Sequence, residues 1–245
     1  MPEHELWLTA LFNDYLAGPA NAILGAFGVS AENHARPWEN WLVMELLVVA
    51  ILMILAAVAR SSFSADKPGK IQHVFEVIYD FLKNQASEVG IHHPEKYVAF
   101  FGTLFIFILS MNLIGIIPWF KSPTMAVSVP AALAVSTWVY YHAMGLKELG
   151  PWQYFKHFLG PVMALAPLMF FIEIIGHFAR MLSLTVRLYG NMFAGEQITN
   201  VFISLTYIIV PVIFMGLHVF VSFLQAYVFS LLTMIYVSMA TSHEH

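Results

Sequence analysis

The amino-acid sequence predicts an all-α integral membrane protein with about five membrane passages, the last two being long, strongly tilted helices. Hydrophobic residues make up 59% of the 245 residues and charged residues only 11%, whereas an average soluble domain is roughly 25% charged. Between Gly160 and His243 the only charged residues are Glu173, Arg180, Arg187 and Glu196. A segment of this length with four charged residues cannot form the surface of a water-soluble domain. Most of it must therefore face lipid or apolar protein.

Composition also excludes several classes of protein. The net charge is −4 and no basic stripe is present, so nucleic acid is not an expected partner. There is no cysteine, which removes disulfides and thiol chemistry. No glycine-rich phosphate loop occurs, so this chain is not expected to bind ATP in that way. The acidic start, MPEHE, does not resemble a basic signal or transit peptide.

The N-terminal residues 1–40 are predicted to form an outer segment, with a short helix or two and a loop, because glycine and proline interrupt them. A single membrane domain, 41–245, is predicted to follow. Its first span, 41–59, is apolar except near Glu45. As a helix it would be ~28 Å long, about one hydrocarbon thickness.

An amphipathic helix is predicted at about 70–90, on the inner side, because apolar residues recur there at spacings of three and four. Such a helix could lie on the membrane or between subunits, or it could be a solvated surface helix packed on its own protein. The second and third spans are predicted at 97–120 and 125–146. Pro118 and Pro123 mark the turn between them.

The remaining apolar stretch is too long for two upright helices. Spans at 161–200 and 207–240, at ~1.5 Å per residue, must tilt, kink or lie partly along the membrane. A break is expected between Glu196 and Pro211, because proline begins helices better than it continues them. Lysine and arginine concentrate in the 60–96 and 147–160 connections, which predicts that these lie inside, the N-terminus outside and the C-terminus inside.

Arg187 is the strongest functional candidate, because ionisable groups inside membrane helices are costly. Its guanidinium keeps its proton, so it can act only as a fixed charge. At helical spacing it shares one face with Glu173, Arg180, Ser183 and Asn191, whereas Glu196 projects to the opposite side. The alternative is an arginine that is paired internally with a glutamate or that extends to the interface.

A second polar stripe follows the last predicted span. Its members are His218, Ser222, Gln225, Thr233 and Tyr236. Histidine can relay protons near neutral pH, whereas glutamine can only hydrogen-bond. Taken alone, His218 is explained equally well by a hydrogen bond between two helices. The presence of Glu196 in the other long helix favours a proton relay.

The segment Arg187–Glu196, RLYGNMFAGE, resembles the signature of subunit a in the membrane sector of F-type ATP synthases. Three further features agree with this resemblance. Residues 111–118 read MNLIGIIP, Gln225 follows His218 by seven residues, and Glu173 precedes the arginine by fourteen. Two positions depart from the family pattern, since Met181 replaces a frequent proline and Gly115 replaces an aspartate found in some bacterial members.

The resemblance implies a proton-conducting stator subunit, in which Arg187 faces the carboxylate of a ring of c subunits and separates two aqueous half-channels. The residues that the resemblance implies for the outer half-channel are Asn191, Glu196, His218 and Gln225. Those implied for the inner one are Glu173, Ser183 and His177. The implied partners are the c-ring, the peripheral-stalk b subunits, the rest of the synthase and the lipid bilayer. The implied location is a bacterial plasma membrane.

Other functions remain open on sequence alone. The main alternative is a self-contained ion channel or secondary transporter, although no internal repeat of the kind common in transporters is visible. An intramembrane enzyme lacks a recognisable nucleophile and base. Glu173 and His177 could share a metal, but no third ligand has suitable spacing. No metal or cofactor is expected, and the chain is not expected to be an enzyme by itself.

Overall fold

The computed structural model describes residues 5–26, 28, 33–63, 69–117, 120–157, 166–205 and 209–241. Within these ranges all regular structure is helical, which confirms the predicted all-α class. The α-helices are α1 (Trp7–Ala26), α2 (Asn40–Ser62), α3 (Lys70–Glu88), α4 (Val98–Ile114), α5 (Ser128–Leu149), α6 (Pro151–His157), α7 (Ala166–Leu205) and α8 (Ile209–Thr241).

Three of these helices are long and apolar enough to cross a membrane: Asn40–Ser61, Ala166–Ser204 and Val212–Thr241. The apolar helix α4 is shorter, at 17 residues. Large apolar side chains are exposed along the long helices, including Met53 on α2, Ile175 on α7 and Ile213 on α8. Because such surface is unfavourable in water, these faces belong against lipid or apolar protein.

The two long helices at the C-terminus have the lengths that the sequence requires. Helix α7 has 40 residues and α8 has 33, or ~60 Å and ~50 Å at the usual helical rise. Helix α7 runs unbroken through Met181, the position that the family pattern often gives to proline. It is described as far as Leu205 and α8 from Ile209; residues 206–208, which fall in the interval where a break is expected, lie outside the described residues.

Some sequence-based expectations fall on parts of the chain that are not described. These are parts of the predicted outer segment (1–4, 27 and 29–32), residues 118–119 at the end of the second predicted span, the first residues of the last two predicted spans (161–165 and 207–208), and the C-terminal residues 242–245. The number of membrane passages remains a prediction.

The N-terminal helix α1 is tied to the start of α2 by a set of hydrogen bonds. The Asn13 side chain donates to the Trp38 carbonyl (3.1 Å) and accepts from the Trp38 amide (2.9 Å). The Asn40 side chain accepts from the Leu6 amide at 3.0 Å. Glu5 and Arg36 form an ion pair beside them. The N-terminal segment is therefore anchored where the first span begins.

Helices α4, α5, α7 and α8 pack together and form the core of the described chain. Its fully buried side chains include Phe101 and Ile108 of α4, Leu188 and Met192 of α7, and Phe229 of α8. Some of the polar groups in this core, such as Asn112 and Gln225, form hydrogen bonds to another helix, which matters because an unpaired polar group in an apolar interior costs several kcal/mol. The site described below is built from these groups.

One end of the bundle gathers the α3–α4 connection and the C-terminal ends of α5 and α8. Lys96, just before α4, pairs with Glu148 at 3.0 Å. The hydrogen bond from the Lys96 ammonium lowers the pKa of Glu148. Ser238 of α8 donates to the Val89 carbonyl at 2.8 Å, close to Gly90, whose φ of +87° ends α3. These three segments therefore share one end of the bundle.

At the other end, Gly115 closes α4 against the turn that leads to α5. A methyl group added at Gly115 would lie 2.8 Å from the Ser122 Cβ and 2.9 Å from its backbone nitrogen. Ser122 is held there by a hydrogen bond to the Met111 carbonyl (2.8 Å) and another to Thr124 (2.7 Å). An aspartate side chain would therefore not fit at position 115 without moving this turn.

Candidate functional site

Arg187 lies near the middle of α7, on the flank of the helix between its buried face and its exposed face. The guanidinium is partly exposed, and its Nη2 donates a long hydrogen bond of 3.4 Å to the Ser183 hydroxyl one turn earlier. The buried face of α7 is formed by Leu184 and Leu188. The side chain thus presents its charge to whatever covers this flank of α7.

A group of polar side chains, which we call the Glu173 cluster, lies on the N-terminal side of Arg187. It consists of Tyr141 from α5 and Glu173, His177 and Arg180 from α7. The Glu173 Oε1 is 3.4 Å from the His177 Nε2 and 3.5 Å from the Arg180 Nη2. The Tyr141 hydroxyl is 2.7 Å from the His177 Nδ1. The His177 imidazole therefore has a polar neighbour at each of its two nitrogens.

The cluster is enclosed by aromatic rings from three neighbouring helices. Arg180 lies over the Tyr236 ring of α8, 5.6 Å from its centre, a distance at which a cation is attracted to the face of an aromatic ring. The His142 ring of α5 packs edge-on against the His177 ring at 4.6 Å. Tyr154 of α6 packs on His142 in turn. His177 itself is 8% exposed, so its interactions occur largely out of water.

A second group, the Gln225 cluster, lies on the C-terminal side of Arg187 and joins α7 to α8. It consists of Asn191 and Gln225, which are bonded to each other, and of His218 and Glu196, which lie about one turn farther along α7. The Asn191 Nδ2 donates to the Gln225 Oε1 at 2.7 Å, and Gln225 is buried. Such a bond holds the amide groups in place, because a buried amide without a partner is costly.

His218 of the same cluster packs directly on the backbone of α7. A methyl group added at Gly195 would lie only 2.7 Å from the His218 Nδ1, so the absence of a side chain there is what admits the ring. Glu196 is the next residue along α7 and is partly buried. The imidazole is therefore held beside the backbone that carries this carboxylate.

Asn112 of α4 extends the polar contacts toward the turn after α4. It accepts from the Thr124 hydroxyl at 2.8 Å and donates to the Ser222 carbonyl of α8 at 3.4 Å. Sequence inspection singles out this asparagine only as part of a motif. The structure shows that it joins α8 to the turn that contains Ser122 and Thr124.

The two clusters are separated along α7, with Arg187 between them. From Glu173 to Glu196 the helix rises ~35 Å at 1.5 Å per residue, about the thickness of a hydrocarbon core. Ser183, which the sequence groups with Glu173 and His177, lies beside Arg187 instead. Arg187 is therefore a fixed cation with ionisable groups on each side of it along α7, while the second arginine of the helix, Arg180, is part of the Glu173 cluster.

Three members of the surroundings of His177 are assigned no role by the sequence. Tyr141 and His142 lie within a predicted apolar span, and Arg180 appears only as a member of a polar stripe. Tyr141 and His142 could have been identified as a polar pair inside a predicted apolar span. Their partners could not be identified without knowing that α5 packs against α7.

A separate apolar groove of about 960 Å³ lies between α2, α3 and α4. It contains none of the cluster residues. Among the residues that the structure describes, no group of three or more histidine, aspartate or glutamate side chains is placed to hold a metal ion.

Comparisons with known proteins agree on one family. The family model described as ATP synthase A chain matches residues 42–238. The chain is 55% identical over 235 residues to the ATP synthase subunit a of Solibacter usitatus, covering 96% of this chain and all of that protein. It is 48% identical to the ATP synthase subunit a of Koribacter versatilis, with 99% of each covered.

A third relative extends this agreement at lower identity. The ATP synthase subunit a of Geotalea uraniireducens is 44% identical over 199 residues, which cover 81% of this chain and 86% of that protein. Both the family model and the full-length relatives thus include the whole of the described site. The chain belongs to the ATP synthase A chain family, and it is a membrane-embedded subunit of an ATP synthase.

Proposed function

We propose that this chain is the proton-conducting stator subunit of a rotary ATP synthase, which forms two half-channels against a ring of c subunits and couples proton flow to ring rotation and ATP synthesis. The observation that carries this proposal is the position of Arg187, a permanent cation between two separate ionisable clusters on one 40-residue helix. A fixed charge in this place can divide a proton path into two parts.

The arrangement of the bundle supports a particular orientation of the chain in the membrane. The end that gathers Lys96, Glu148 and Ser238 includes the connections that are richest in lysine and arginine, which favours the inner side of the membrane. Tyr141 lies two turns before the C-terminal end of α5, so the Glu173 cluster belongs to this inner half. The Gln225 cluster then belongs to the outer half, with the N-terminus outside and the C-terminus inside.

In this proposal each cluster lines one half-channel. Asn191, Glu196, His218 and Gln225 line the outer one, and Glu173 and His177 line the inner one. Ser183 lies between the inner path and the arginine. Carboxylate and imidazole groups can pass protons on, while the amides of Asn191 and Gln225 orient water or the neighbouring side chains.

The coupling is electrostatic. A ring carboxylate that enters the lipid is stable only when protonated, because a charge in hydrocarbon is costly. When it reaches Arg187, the guanidinium favours the ionised form and the proton leaves into a half-channel. Since Arg187 never releases its own proton, protons cannot cross directly between the half-channels. The ring must therefore turn for a proton to cross.

The proposal assigns further partners and a location. The c-ring would cover the Arg187 flank of α7, and the peripheral-stalk b subunits would hold the chain against rotation. The cellular location would be the plasma membrane of a bacterium. No role as an enzyme by itself is proposed, because ATP chemistry would take place in other subunits of the complex.

Reconstitution distinguishes this function from a self-contained channel or transporter. The purified chain alone in liposomes is expected to conduct no protons above empty liposomes, because it lacks the ring that supplies the moving carboxylate. The assembled complex in the same liposomes should acidify them when ATP is added outside. Rapid proton flux through the chain alone, measured with an internal pH-sensitive dye, would instead favour the self-contained channel.

A further inference from the structure

We propose that Tyr141 is a positioning residue of the inner half-channel, which holds the proton of neutral His177 on Nε2, facing Glu173. The inference rests on the proposed function and adds to it a residue of α5. It follows from the hydrogen bonds around His177, taken one nitrogen at a time.

The Nδ1 nitrogen of His177 faces two groups that donate hydrogen bonds. The Tyr141 hydroxyl is 2.7 Å away and an Arg180 guanidinium nitrogen is 3.5 Å away. Arginine can only donate, so a proton on Nδ1 would point toward a cation. The stable arrangement has a bare Nδ1 that accepts from the Tyr141 hydroxyl.

The Nε2 nitrogen faces the opposite kind of partner. It lies 3.4 Å from the Glu173 Oε1, and an ionised carboxylate can only accept. The same carboxylate oxygen is 3.5 Å from the Arg180 Nη2, and arginine can only donate. The proton of neutral His177 is therefore held on Nε2, where it points toward the glutamate.

In the part of the chain that the structure describes, titratable side chains from four helices lie around His177. They are Tyr141 and His142 of α5, Tyr154 of α6, Glu173 and Arg180 of α7, and Tyr236 of α8. The neighbouring His142 is oriented by its own backbone bond, in which its Nδ1 is 3.0 Å from the Trp138 carbonyl. Arg180 is the one permanent cation in this set and Glu173 the one carboxylate, so the tautomer of His177 depends on these two and on Tyr141.

The tautomer matters for proton transfer because only one of the two imidazole nitrogens faces the carboxylate. With the proton on Nε2, His177 donates a hydrogen bond to Glu173 and holds that carboxylate in one orientation, while the proton that Glu173 takes up or releases comes from water in the half-channel. If Tyr141 did not occupy Nδ1, the imidazole could rotate or take a second proton beside Arg180. Either change would remove the aligned pair from the path.

Tyr141→Phe tests this inference, because it removes the hydroxyl and keeps the buried ring. In inverted membrane vesicles, ATP-driven proton pumping is expected to fall by about tenfold, by analogy with the loss seen when the hydrogen-bond partner of a metal-ligating histidine is removed. The decrease in pumping rate at low pH should also begin at a higher pH than in the unmodified protein. A hydrogen bond donated to Nδ1 stabilises the neutral imidazole, and its loss favours the charged one.

Tyr140→Phe is the matched control, since its ring stacks on Phe100 at 3.6 Å and lies on another face of α5. It should leave both the rate and the pH profile unchanged. If Tyr141→Phe behaves like this control, or pumps slowly with an unshifted profile, the positioning role is wrong. The proposed function would still stand if Arg187→Ala abolishes pumping in the same vesicles, so the two failures can be distinguished.

Discussion

Arg187→Ala is expected to abolish ATP-driven proton pumping while leaving the complex assembled. Without the guanidinium, nothing forces the ring carboxylate to ionise at the boundary between the half-channels, and a charged carboxylate cannot pass through lipid. Assembly should survive because Arg187 is partly exposed and its hydrogen bond to Ser183 is long. Dye quenching in inverted vesicles measures the pumping, and co-purification of the subunits measures the assembly.

The control for this experiment is Arg60→Ala. Arg60 lies in the last turn of α2 and is exposed, away from both clusters. Its removal changes the net charge of the chain by the same amount but should leave pumping within about twofold of the unmodified protein, as is usual for surface charges. Pumping by Arg187→Ala at the rate of the Arg60→Ala control would show that the arginine is not the barrier.

Gly195→Ala should reduce pumping by at least about tenfold without unfolding the chain. The added methyl group would lie 2.7 Å from the His218 Nδ1, so the imidazole must move. Moving the end of one side chain is inexpensive, and alanine is favoured over glycine in a helix by ~1 kcal/mol. Displacing a group that takes part in proton transfer by ~1 Å can slow it by 10²-fold.

Gly216→Ala provides the matched control on the facing helix, two residues before His218. A methyl group at Gly216 would meet no atom within 4 Å. Pumping rates and thermal melting of the two assembled complexes should be compared. Equal pumping in both variants would mean that the position of His218 beside Gly195 has no part in the proton path.

Much of the fold follows from simple rules applied to the sequence. The long apolar stretch could only become two helices longer than an ordinary span, and α7 and α8 have that length. The spacing of apolar residues at 70–90 similarly indicates the helix α3. Sequence does not determine how many helices cross the membrane, because α4 is short and α5 carries Tyr140, Tyr141 and His142 among its apolar residues.

The candidate site was less accessible from the sequence. Periodicity along one helix predicts that Arg187 and Glu196 lie on different sides of α7, which is an unbroken helix over these positions, and motif resemblance brings in His218 and Gln225. Contacts between helices cannot be read this way, because they depend on which faces pack together. The bond between Tyr141 and His177 joins positions 36 residues apart, and nothing in the local pattern of either helix indicates it.

The departure at Gly115 illustrates the same limit. The sequence shows only that an acidic group found in some family members is missing. The structure supplies a physical reason, because the Ser122 backbone lies 2.9 Å from the position of an added methyl group. The turn after α4 can therefore pack this closely only because residue 115 is glycine.

The central claim, that Arg187 faces the carboxylate of a c-ring, is tested most directly by cysteine cross-linking in the assembled complex. The chain has no cysteine of its own, so a single one can be introduced at the exposed Ser183, one turn from Arg187. Paired with a cysteine beside the ring carboxylate, Ser183→Cys should form a disulfide under mild oxidation. Phe178→Cys, exposed on the other flank of α7, should form none. Cross-linking from position 178 and not from 183 would contradict the account.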